Sequence, residues 1–408
     1  MWKKRLRDLI KIGRLRLIAP NGDLVELGGT PYLSHHRQLE VTVRLHGSLT
    51  PFKLMLDPHR YLGESYMNGD LTIERGDLWD FIELIGYNFE EPRPDITNGF
   101  AALANSVLRR IQQHNDLTAS RRNVAHHYDL SEDFYRLFLD ADMQYSCAYF
   151  RSPNASIEEA QTAKKEHIAA KLLLAPGMRV LDIGCGWGGM ALFLARTHQV
   201  RVVGITLSTE QLAVARARAM GLEDRVSFEL MDYRKVEGSF DRIVSVGMFE
   251  HVGIPQYAQY FQTMTERLAP DGVALVHSIG RMRGPSRTSG FIRKFIFPGG
   301  YVPALSEVLP TIERSGLWLT DLEVLRIHYA ETLRLWRERF MANRHRLPPQ
   351  YDEKFCRMWE FYLASSEMSF RFNGFMVFQL QLSRSVNAVP LTRDYMTTQE
   401  HLMATAAE

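Results

Sequence analysis

A cluster of glycines at residues 181–189, LDIGCGWGG, is the stretch of this sequence best suited to bind a small molecule. Gly184, Gly186 and Gly189 fit the spacing G-x-G-x-x-G, where missing β-carbons let a ligand approach the backbone. A nicotinamide dinucleotide would also require an acidic residue about 20 residues later, whereas the next apolar strand ends in GITLS. The spacing therefore favours another ligand, and a glycine turn that binds nothing is the alternative.

Two further features of the loop favour S-adenosylmethionine. Asp182 lies two residues before the first glycine, and Gly188 adds the spacing G-x-G-x-G. S-adenosylmethionine has no pyrophosphate to place at the N-terminus of the following helix, so it does not need the full dinucleotide fingerprint. We interpret the loop as that of a methyltransferase.

The elements that must position this loop alternate between strands and helices. Four segments read as buried apolar strands: RVLDIG (179–184), VRVVGITL (200–207), FDRIVSVG (240–247) and GVALVHSI (272–279). MALFLAR and TEQLAVARARA read as the helices that follow the first two strands. This pattern predicts an α/β fold with a Rossmann-like doubly wound sheet, of the class I S-adenosylmethionine-dependent methyltransferase type, with the ligand at the carboxyl ends of the strands.

The first 95 residues have a different pattern. LRLI, LVEL and LEVTVRL read as short antiparallel strands, with PNGD as the turn between the first two, and YLGESYM and DLWDFIELI read as helices. We therefore predict a small N-terminal α+β domain at 1–95, a linker and connecting helix at 96–119, the catalytic domain at 120–390 and a C-terminal tail at 391–408.

Composition excludes several classes of protein. The 408 residues are 45% hydrophobic and 24% charged, which is ordinary for a folded protein with a large core. The three cysteines are far apart and form no C-x-x-C motif, so we expect no disulfide framework, no metal site and a cytoplasmic setting. The sequence has no apolar run of about 18 residues, so it predicts no membrane-spanning helix.

Positive charge is concentrated at the N-terminus. The first 20 residues contain seven Lys or Arg and one Asp, and Trp2, Leu6 and Leu9 recur among them at helical spacing. This pattern predicts an amphipathic helix on an anionic membrane surface, which implies a peripheral location at the inner face of the cytoplasmic membrane. The alternative is a helix packed on its own domain. No nucleic-acid partner is predicted, because no reading motif surrounds the cations.

Several motifs, in order from about residue 120 to 385, resemble those of one enzyme family: HYDLSEDFYRLFLDADMQYSCAYF, VLDIGCGWGG, GITLSTEQ, DRIVSVGMFEHVG, VHSIG, FIFPGGYVP and HYAETLRLWRERF. The sequence resembles the cyclopropane fatty acid synthases and the related mycolic acid cyclopropane synthases. Its first 95 residues resemble the N-terminal extension of the bacterial cyclopropane fatty acid synthases, which the mycolic acid enzymes lack. The resemblance therefore favours the phospholipid branch, and it implies a homodimer.

The resemblance implies transfer of a methylene carbon from S-adenosylmethionine to a cis double bond in an acyl chain of an unsaturated membrane phospholipid. An isolated alkene is a poor nucleophile, so the enzyme must press it against the methyl donor with water excluded. A base must then remove a proton so that the ring closes. In the family this base is a bound bicarbonate, and the implied holders are Cys147, Glu250, His277, Ile279 and Tyr329. A catalytic thiolate is the alternative role for Cys147.

The resemblance also implies a set of cofactor-binding residues: Tyr145, Ser146, Asp182, Gly184, Gly186, Gly188, Thr206, Leu207, Gln211, Asp232 and Tyr233. Tyr145 and Ser146 are expected near the methionine portion, and Gln211 at the ribose in place of the missing carboxylate. The pair Asp232 and Tyr233 is expected near the adenine. We expect His251 to be a structural hydrogen bonder.

Other interpretations stay open. The enzyme could methylate the alkene without closing the ring, methylate an unrelated small molecule, or be a lipid-binding protein without catalysis. Aromatic residues near the motifs could stabilise a carbocation-like centre or pack in the core: Tyr145, Tyr149, Phe150, Phe249, Phe295 and Phe297. Basic residues at 281–300 could meet phosphate head groups or form a solvated loop: Arg281, Arg283, Arg287, Arg293 and Lys294.

Overall fold

The structure is a computed structural model that describes residues 10–28, 39–88 and 130–406. The predicted cationic helix before Ile10 and the linker predicted at 96–119 lie outside the described residues. The described chain forms two compact units. The first lies within 1–93, 288–296 and 330–375, and the second within 94–287, 297–329 and 376–408.

The first unit contains a four-stranded sheet in the order β2-β1-β3-β4. Its strands are β1 (Arg14–Ile18), β2 (Leu24–Leu27), β3 (Glu40–Leu45) and β4 (Leu71–Arg75). Its helices are α1 (Thr50–Leu56), α2 (Pro58–Asn68), α3 (Leu78–Asn88), α9 (Gly290–Phe295) and α12 (Glu353–Phe372), together with most of α11 (His328–Asn343). The alternating strand pattern buries one apolar face, which includes Leu17, Val25, Val41 and Val43.

One strand direction differs from the prediction. β1 and β2 are antiparallel and are joined by the predicted turn, but β1 and β3 are parallel, with Leu15 opposite Val41. The prediction of three antiparallel strands was therefore wrong for β3. Alternating hydrophobicity predicts which face of a strand is buried but not its direction, and the 12 residues between Leu27 and Glu40 are long enough for a crossover.

The first unit also includes residues that are distant in sequence from the N-terminus. α12 packs on α2 and α3. The close approach requires a small residue, since a β-carbon on Gly63 would lie 2.5 Å from a ring carbon of Phe291 and 2.7 Å from one of Phe361. The contacts thus group 288–296 and 330–375 with the N-terminal elements, whereas the sequence pattern assigned them to the catalytic domain. The predicted domain boundaries stay a prediction.

The second unit is built on a seven-stranded sheet in the order β10-β11-β9-β8-β5-β6-β7. Its strands are β5 (Arg179–Ile183), β6 (Arg201–Thr206), β7 (Val226–Leu230), β8 (Phe240–Val246), β9 (Leu268–Arg281), β10 (Trp318–Leu325) and β11 (Phe375–Ser383). Strands β5 to β9 pair in parallel, as the β-α pattern predicts, and β10 pairs antiparallel with β11.

Helices cover both faces of this sheet: α4 (Glu132–Arg136), α5 (Ile157–Leu172), α6 (Gly189–His198), α7 (Thr209–Arg218), α8 (Tyr257–Arg267), α10 (Leu305–Ile312) and α13 (Asp394–Ala406). Successive strand residues enter opposite cores: Leu181 and Ile243 lie in one, and Val180 and Val244 in the other. Such double coverage requires almost continuously apolar strands. Among the described residues, no helix is both long and apolar enough to cross a membrane.

Candidate active site

The glycine loop follows β5 and leads into α6. Gly184 and Gly186 have positive φ angles of 83° and 55°, a region that favours glycine. A β-carbon on Gly184 would lie 2.8 Å from Cβ of Met248, whereas the nearest atom to one on Gly186 would be Nε2 of Gln211 at 4.0 Å. Gly184 is therefore required by packing, and the backbone at Gly186 borders open space.

A cavity lies at the carboxyl ends of the parallel strands. Ten of the eleven predicted cofactor residues line it: Tyr145, Ser146, Asp182, Gly184, Gly186, Thr206, Leu207, Gln211, Asp232 and Tyr233. Gly188 is the exception. A β-carbon there would lie 2.6 Å from the Phe228 ring, so this glycine is needed for close packing. Gly188 lets α6 pack against β7 and does not line the cavity.

Asp182 provides a buried acceptor in the cavity wall. Its residue is 1% exposed, and its Oδ2 has no hydrogen-bond partner among the described residues. Burial raises the pKa of this carboxyl to about 7, and the positive charge of Lys164 opposes that shift. A buried acceptor without a partner is costly, so Asp182 is suited to accept hydrogen bonds from a bound ligand.

The polar residues after β6 and β7 are held by local hydrogen bonds. Gln211 Oε1 accepts a bond from the Thr206 hydroxyl at 3.2 Å, which leaves the Gln211 amide nitrogen facing the Gly186 side of the cavity. Both carboxylate oxygens of Asp232 accept bonds from the Arg234 guanidinium, each at 2.7 Å. Arg234 also lines the cavity. The sequence interpretation missed this residue.

Helix α5 fixes the segment that precedes Cys147. Ser156 caps the helix, and Glu159 completes a capping box. Gln161 Nε2 donates to the carbonyl oxygens of Gln144 and Ser146 at 3.1 and 3.0 Å. One turn later, Lys164 Nζ donates to the side chains of the same two residues at 2.7 and 2.8 Å. Four hydrogen bonds from one helix therefore fix this part of the cavity wall.

Glu250 lies in a short 3₁₀ helix, Phe249–His251, beyond the end of β8. The backbone N–H of Ile279 donates to its Oε1 at 2.7 Å, while its Oε2 has no partner among the described residues. Burial raises the pKa of this carboxyl to about 7, and the bond from Ile279 opposes the shift. Two of the five predicted anion holders are thus joined directly.

His277 lies on β9 and is 2% exposed. Its Nδ1 is 3.1 Å from Nε2 of Gln379, whose Oε1 accepts a bond from Lys171 Nζ at 2.8 Å. Since the amide oxygen faces an ammonium, the amide nitrogen must donate to His277, which assigns the His277 proton to Nε2. Burial lowers the pKa of His277 well below its usual value. It is therefore a neutral donor.

Cys147 and Tyr329, the other two predicted anion holders, are both buried. Cys147 is 1% exposed and its thiol donates to the carbonyl of Ala148 at 3.3 Å. Tyr329 is buried at the start of α11. None of the five predicted anion holders is among the described residues that line the cavity, although Ser146, next to Cys147, and His251, next to Glu250, are. His251 therefore borders the cavity, whereas the sequence predicted only a structural role for it.

The aromatic candidates Phe249, Tyr149 and Tyr145 lie in different surroundings. Phe249 is fully buried and stacks on Tyr257 with ring centroids 4.5 Å apart, so it is a core residue. Tyr149 stacks between the rings of His167 and His328, at 4.1 and 4.9 Å. Of the six candidates, Tyr145 lines the cavity.

Comparison with known proteins now identifies the family. The family model described as mycolic acid cyclopropane synthetase matches residues 115–380. The cyclopropane-fatty-acyl-phospholipid synthase of Escherichia coli K12 is 38% identical over 325 residues, which are 80% of this chain and 83% of that protein. The chain belongs to this family. A second relative, a tuberculostearic acid methyltransferase of Mycobacterium tuberculosis, is 37% identical to this chain. The match spans 79% of this chain and 78% of that protein.

Solved structures of the mycolic acid cyclopropane synthetase family share the fold. The cyclopropane synthase MmaA2 from Mycobacterium tuberculosis superposes with a TM-score of 0.62 at 37% identity, over 66% of this chain and 99% of that chain. The synthase CmaA1, solved with SAH and CTAB, gives 0.61 at 35% identity, over 64% of this chain and 97% of that chain. The predicted class I fold is confirmed, and the protein is an S-adenosylmethionine-dependent enzyme.

Buried polar residues that hold parts of the site in place, such as Lys164 and Gln379, are absent from the sequence-based predictions. Lys164 and Gln379 are both fully buried, and neither lies in a motif that suggests chemistry. In the sequence, each of them is a polar residue within a helix or a strand. Such residues are normally expected to be exposed to solvent.

We expect Asp182→Asn to weaken binding of S-adenosylhomocysteine roughly tenfold to 100-fold, because it removes the charge from a buried acceptor. Isothermal titration of the purified protein measures this. Asp241→Asn is the matched control, since Asp241 accepts from the Arg179 N–H at the amino end of the same sheet. Equal affinities in both variants would contradict a role for Asp182 in binding.

Proposed function

We propose that the protein transfers a methylene carbon from S-adenosylmethionine to a cis double bond in an acyl chain of an unsaturated membrane phospholipid, closing a cyclopropane ring. The chain covers 83% of the Escherichia coli relative. The name of that relative, cyclopropane-fatty-acyl-phospholipid synthase, supports the proposed substrate. The observation that carries the proposal is the buried Glu250 carboxyl. One of its oxygens is fixed by Ile279, and the other has no partner among the described residues.

The cavity fits S-adenosylmethionine. Asp182 offers a buried oxygen without a described partner, Gly186 leaves the backbone accessible, and Gln211 presents an amide nitrogen. When bound, S-adenosylmethionine supplies an electrophilic methyl group. The residues of the chain bind and orient it, and the buried walls exclude water from the weakly nucleophilic alkene.

Bicarbonate as the base fits the residues around Glu250. His277 is a neutral donor through Nε2, the Glu250 Oε2 lacks a described partner, and α5 holds the carbonyl of Ser146, the residue that precedes Cys147. Ile279 already orients Glu250, and we assign the Tyr329 hydroxyl to the same anion. When bound, bicarbonate supplies an oxygen that accepts a proton. The chain itself holds that anion and keeps the proton-accepting region dry.

This arrangement favours an anion holder over a thiolate at Cys147. The thiol is buried and donates to a carbonyl oxygen. A reactive cysteine is usually partly exposed to solvent, where its thiolate can reach a substrate. The carbonyl at this thiol favours the protonated form instead.

A second candidate function is methylation without ring closure. The probable fatty acid methyltransferase of Pseudomonas putida is 36% identical over 368 residues, which are 87% of this chain and 88% of that protein. The tuberculostearic acid methyltransferase is about as similar. Overall identity therefore does not separate the two products, and the product has to be measured.

We expect the purified protein to convert vesicles of a monounsaturated phospholipid to a product that has gained one CH₂ and lost its double bond. The reaction should slow in buffer depleted of carbon dioxide and recover when bicarbonate is added. Mass spectrometry of the released fatty acids measures the gain of one CH₂, and proton NMR of the same acids separates ring protons from vinyl protons. Vesicles of a saturated phospholipid are the control. A product that keeps its double bond, or a reduced methyl branch, would support the second candidate.

We expect Glu250→Gln to bind S-adenosylhomocysteine normally and to lose about 100-fold or more of turnover, since the change keeps the shape but removes the charge that orients the proposed anion and its proton. Glu307→Gln is the matched control, because the Glu307 oxygens accept from the Tyr301 hydroxyl at 2.8 and 3.0 Å. Turnover is measured by release of S-adenosylhomocysteine. Wild-type turnover in Glu250→Gln would remove Glu250 from the mechanism.

Contact with an anionic membrane surface is part of the proposal, because the alkene of a phospholipid lies within the bilayer. Leu49, Phe52 and Leu56, spaced three and four residues apart at α1, are 65, 66 and 68% exposed and share one helix face. Solvent-exposed apolar faces of this kind suit an interface with lipid. Arg281, by contrast, is only 4% exposed, so it is removed from the predicted head-group residues. A homodimer stays a prediction.

We expect replacement of Lys3, Lys4, Arg5 and Arg7 by glutamine to weaken binding to anionic vesicles, since each cation near such a surface contributes about 1 kcal/mol. The loss should be larger at low salt, where screening is least. Cosedimentation with vesicles measures this. A control that removes the same charge replaces four other exposed cations: Arg196, Arg201, Arg225 and Lys354. Equal losses in both proteins would show that net charge, and not the N-terminal segment, drives binding.

A further inference from the structure

Helix α5 carries three lysines that are almost completely buried. Lys164, Lys165 and Lys171 are 0, 8 and 1% exposed. Ammonium groups are rarely buried unless they are paired, because removal from water is costly. The contacts of the three lysines are therefore informative.

Two of these lysines have carboxylate partners. Lys165 Nζ is 2.7 Å from Asp142 Oδ2, and Lys171 forms an ion pair with Glu323. Lys164 differs, since the two hydrogen bonds of its Nζ are to neutral groups, the Gln144 amide oxygen and the Ser146 hydroxyl. Its positive charge is thus less neutralised by direct contacts than that of either neighbour.

Lys164 lies beside the predicted chemistry. Ser146, which it holds, lines the cavity and directly precedes Cys147. When Lys164 is charged, it acts on the Asp182 carboxyl, on Cys147 and on His277. Burial lowers the pKa of Lys164 to about 7, and a bound anion nearby would favour its charged form. The charge of Lys164 therefore affects both the predicted cofactor site and the predicted anion site.

A buried anion requires a compensating positive charge. Among the proposed holders, His277 is neutral and Glu250 is an acid, so none of them supplies one. The sulfonium of S-adenosylmethionine is positive, and transfer of its methyl group to the alkene would move that positive charge to a carbocation-like carbon and leave a neutral thioether. Both of these positive charges belong to the ligands, so a cation of the protein is needed to bind the anion before the donor and the alkene are in place.

We propose that Lys164 is this cation: it positions Gln144 and Ser146 in the cavity wall and supplies the positive charge that holds an anion beside Cys147 and His277. The inference rests on the proposed function, and it adds a positioning residue outside the five predicted holders.

Three variants of the full chain separate charge from packing. Lys164→Met removes the charge and both hydrogen bonds, Lys164→Gln removes the charge but keeps a polar group, and Lys164→Arg keeps the charge. The concentration of bicarbonate that gives half-maximal turnover is measured in carbon dioxide-depleted buffer with unsaturated phospholipid vesicles. Thermal unfolding and S-adenosylhomocysteine affinity are measured on the same samples.

We expect the half-maximal concentration to rise at least about tenfold in Lys164→Met and Lys164→Gln, as for loss of a buried charge partner. It should stay within about threefold of wild type in Lys164→Arg and in the control Lys165→Met, which removes a lysine that holds the same segment through Asp142. If Lys164→Met is too unstable to assay, Lys164→Gln decides.

The outcomes distinguish this inference from the proposed function. If wild type depends on bicarbonate and Lys164→Gln shows the same half-maximal concentration, the inference about Lys164 is overturned and bicarbonate as the base is retained. If Lys165→Met changes as much as Lys164→Met, Lys164 is only a packing residue. A wild-type enzyme that is indifferent to bicarbonate overturns the proposed base and this inference together.

Discussion

Burial of charge at the carboxyl edge of a parallel sheet is the constraint on which the rest of the site depends. Asp182, Glu250 and Lys164 are at most 9% exposed, and each ionised group loses favourable hydration there. The fold compensates for only part of this loss. Ile279 binds one oxygen of Glu250, and neutral groups bind Lys164, while one oxygen of Asp182 and one of Glu250 have no partner among the described residues. The site is therefore preorganised for ligands that complete these contacts.

Rigid elements hold the groups in place. Glu250 follows β8, Asp182 lies near the end of β5 and His277 lies on β9, so three neighbouring strands of one sheet fix their spacing. Helix α5 fixes the opposite wall through Gln161 and Lys164. Side chains locked by strands and by a second layer of hydrogen bonds keep their geometry better than side chains on loops. This explains why polar residues such as Gln379 are buried in a strand that would otherwise be apolar.

Sequence reasoning was most successful where a pattern has a single physical meaning. Apolar runs with intervening helices indicated the parallel strands, and the spacing of Gly184 and Gly186 indicated a loop that a ligand can approach. It failed where a pattern is ambiguous. Alternation in β3 does not give its direction, and α5 mixes lysines with alanines on all sides, which normally describes an exposed helix. Burial of Lys164 depends on Gln144 and Ser146, about 20 residues earlier in sequence, and no local rule connects them.

The choice between a ring and a methyl branch must be made after methyl transfer, on the proposed mechanism. Both products begin with the same donor and alkene, and relatives named as a cyclopropane synthase and as fatty acid methyltransferases are 36 to 38% identical to this chain. Residues that bind the donor, such as Asp182 and Gln211, therefore cannot distinguish the products. The distinction must lie in where a proton is removed, and so in the groups that hold the base. Lys164 and His277, which we propose hold the base, are both buried in the protein interior. On this proposal, a change in product does not require a change in the lipid that is bound.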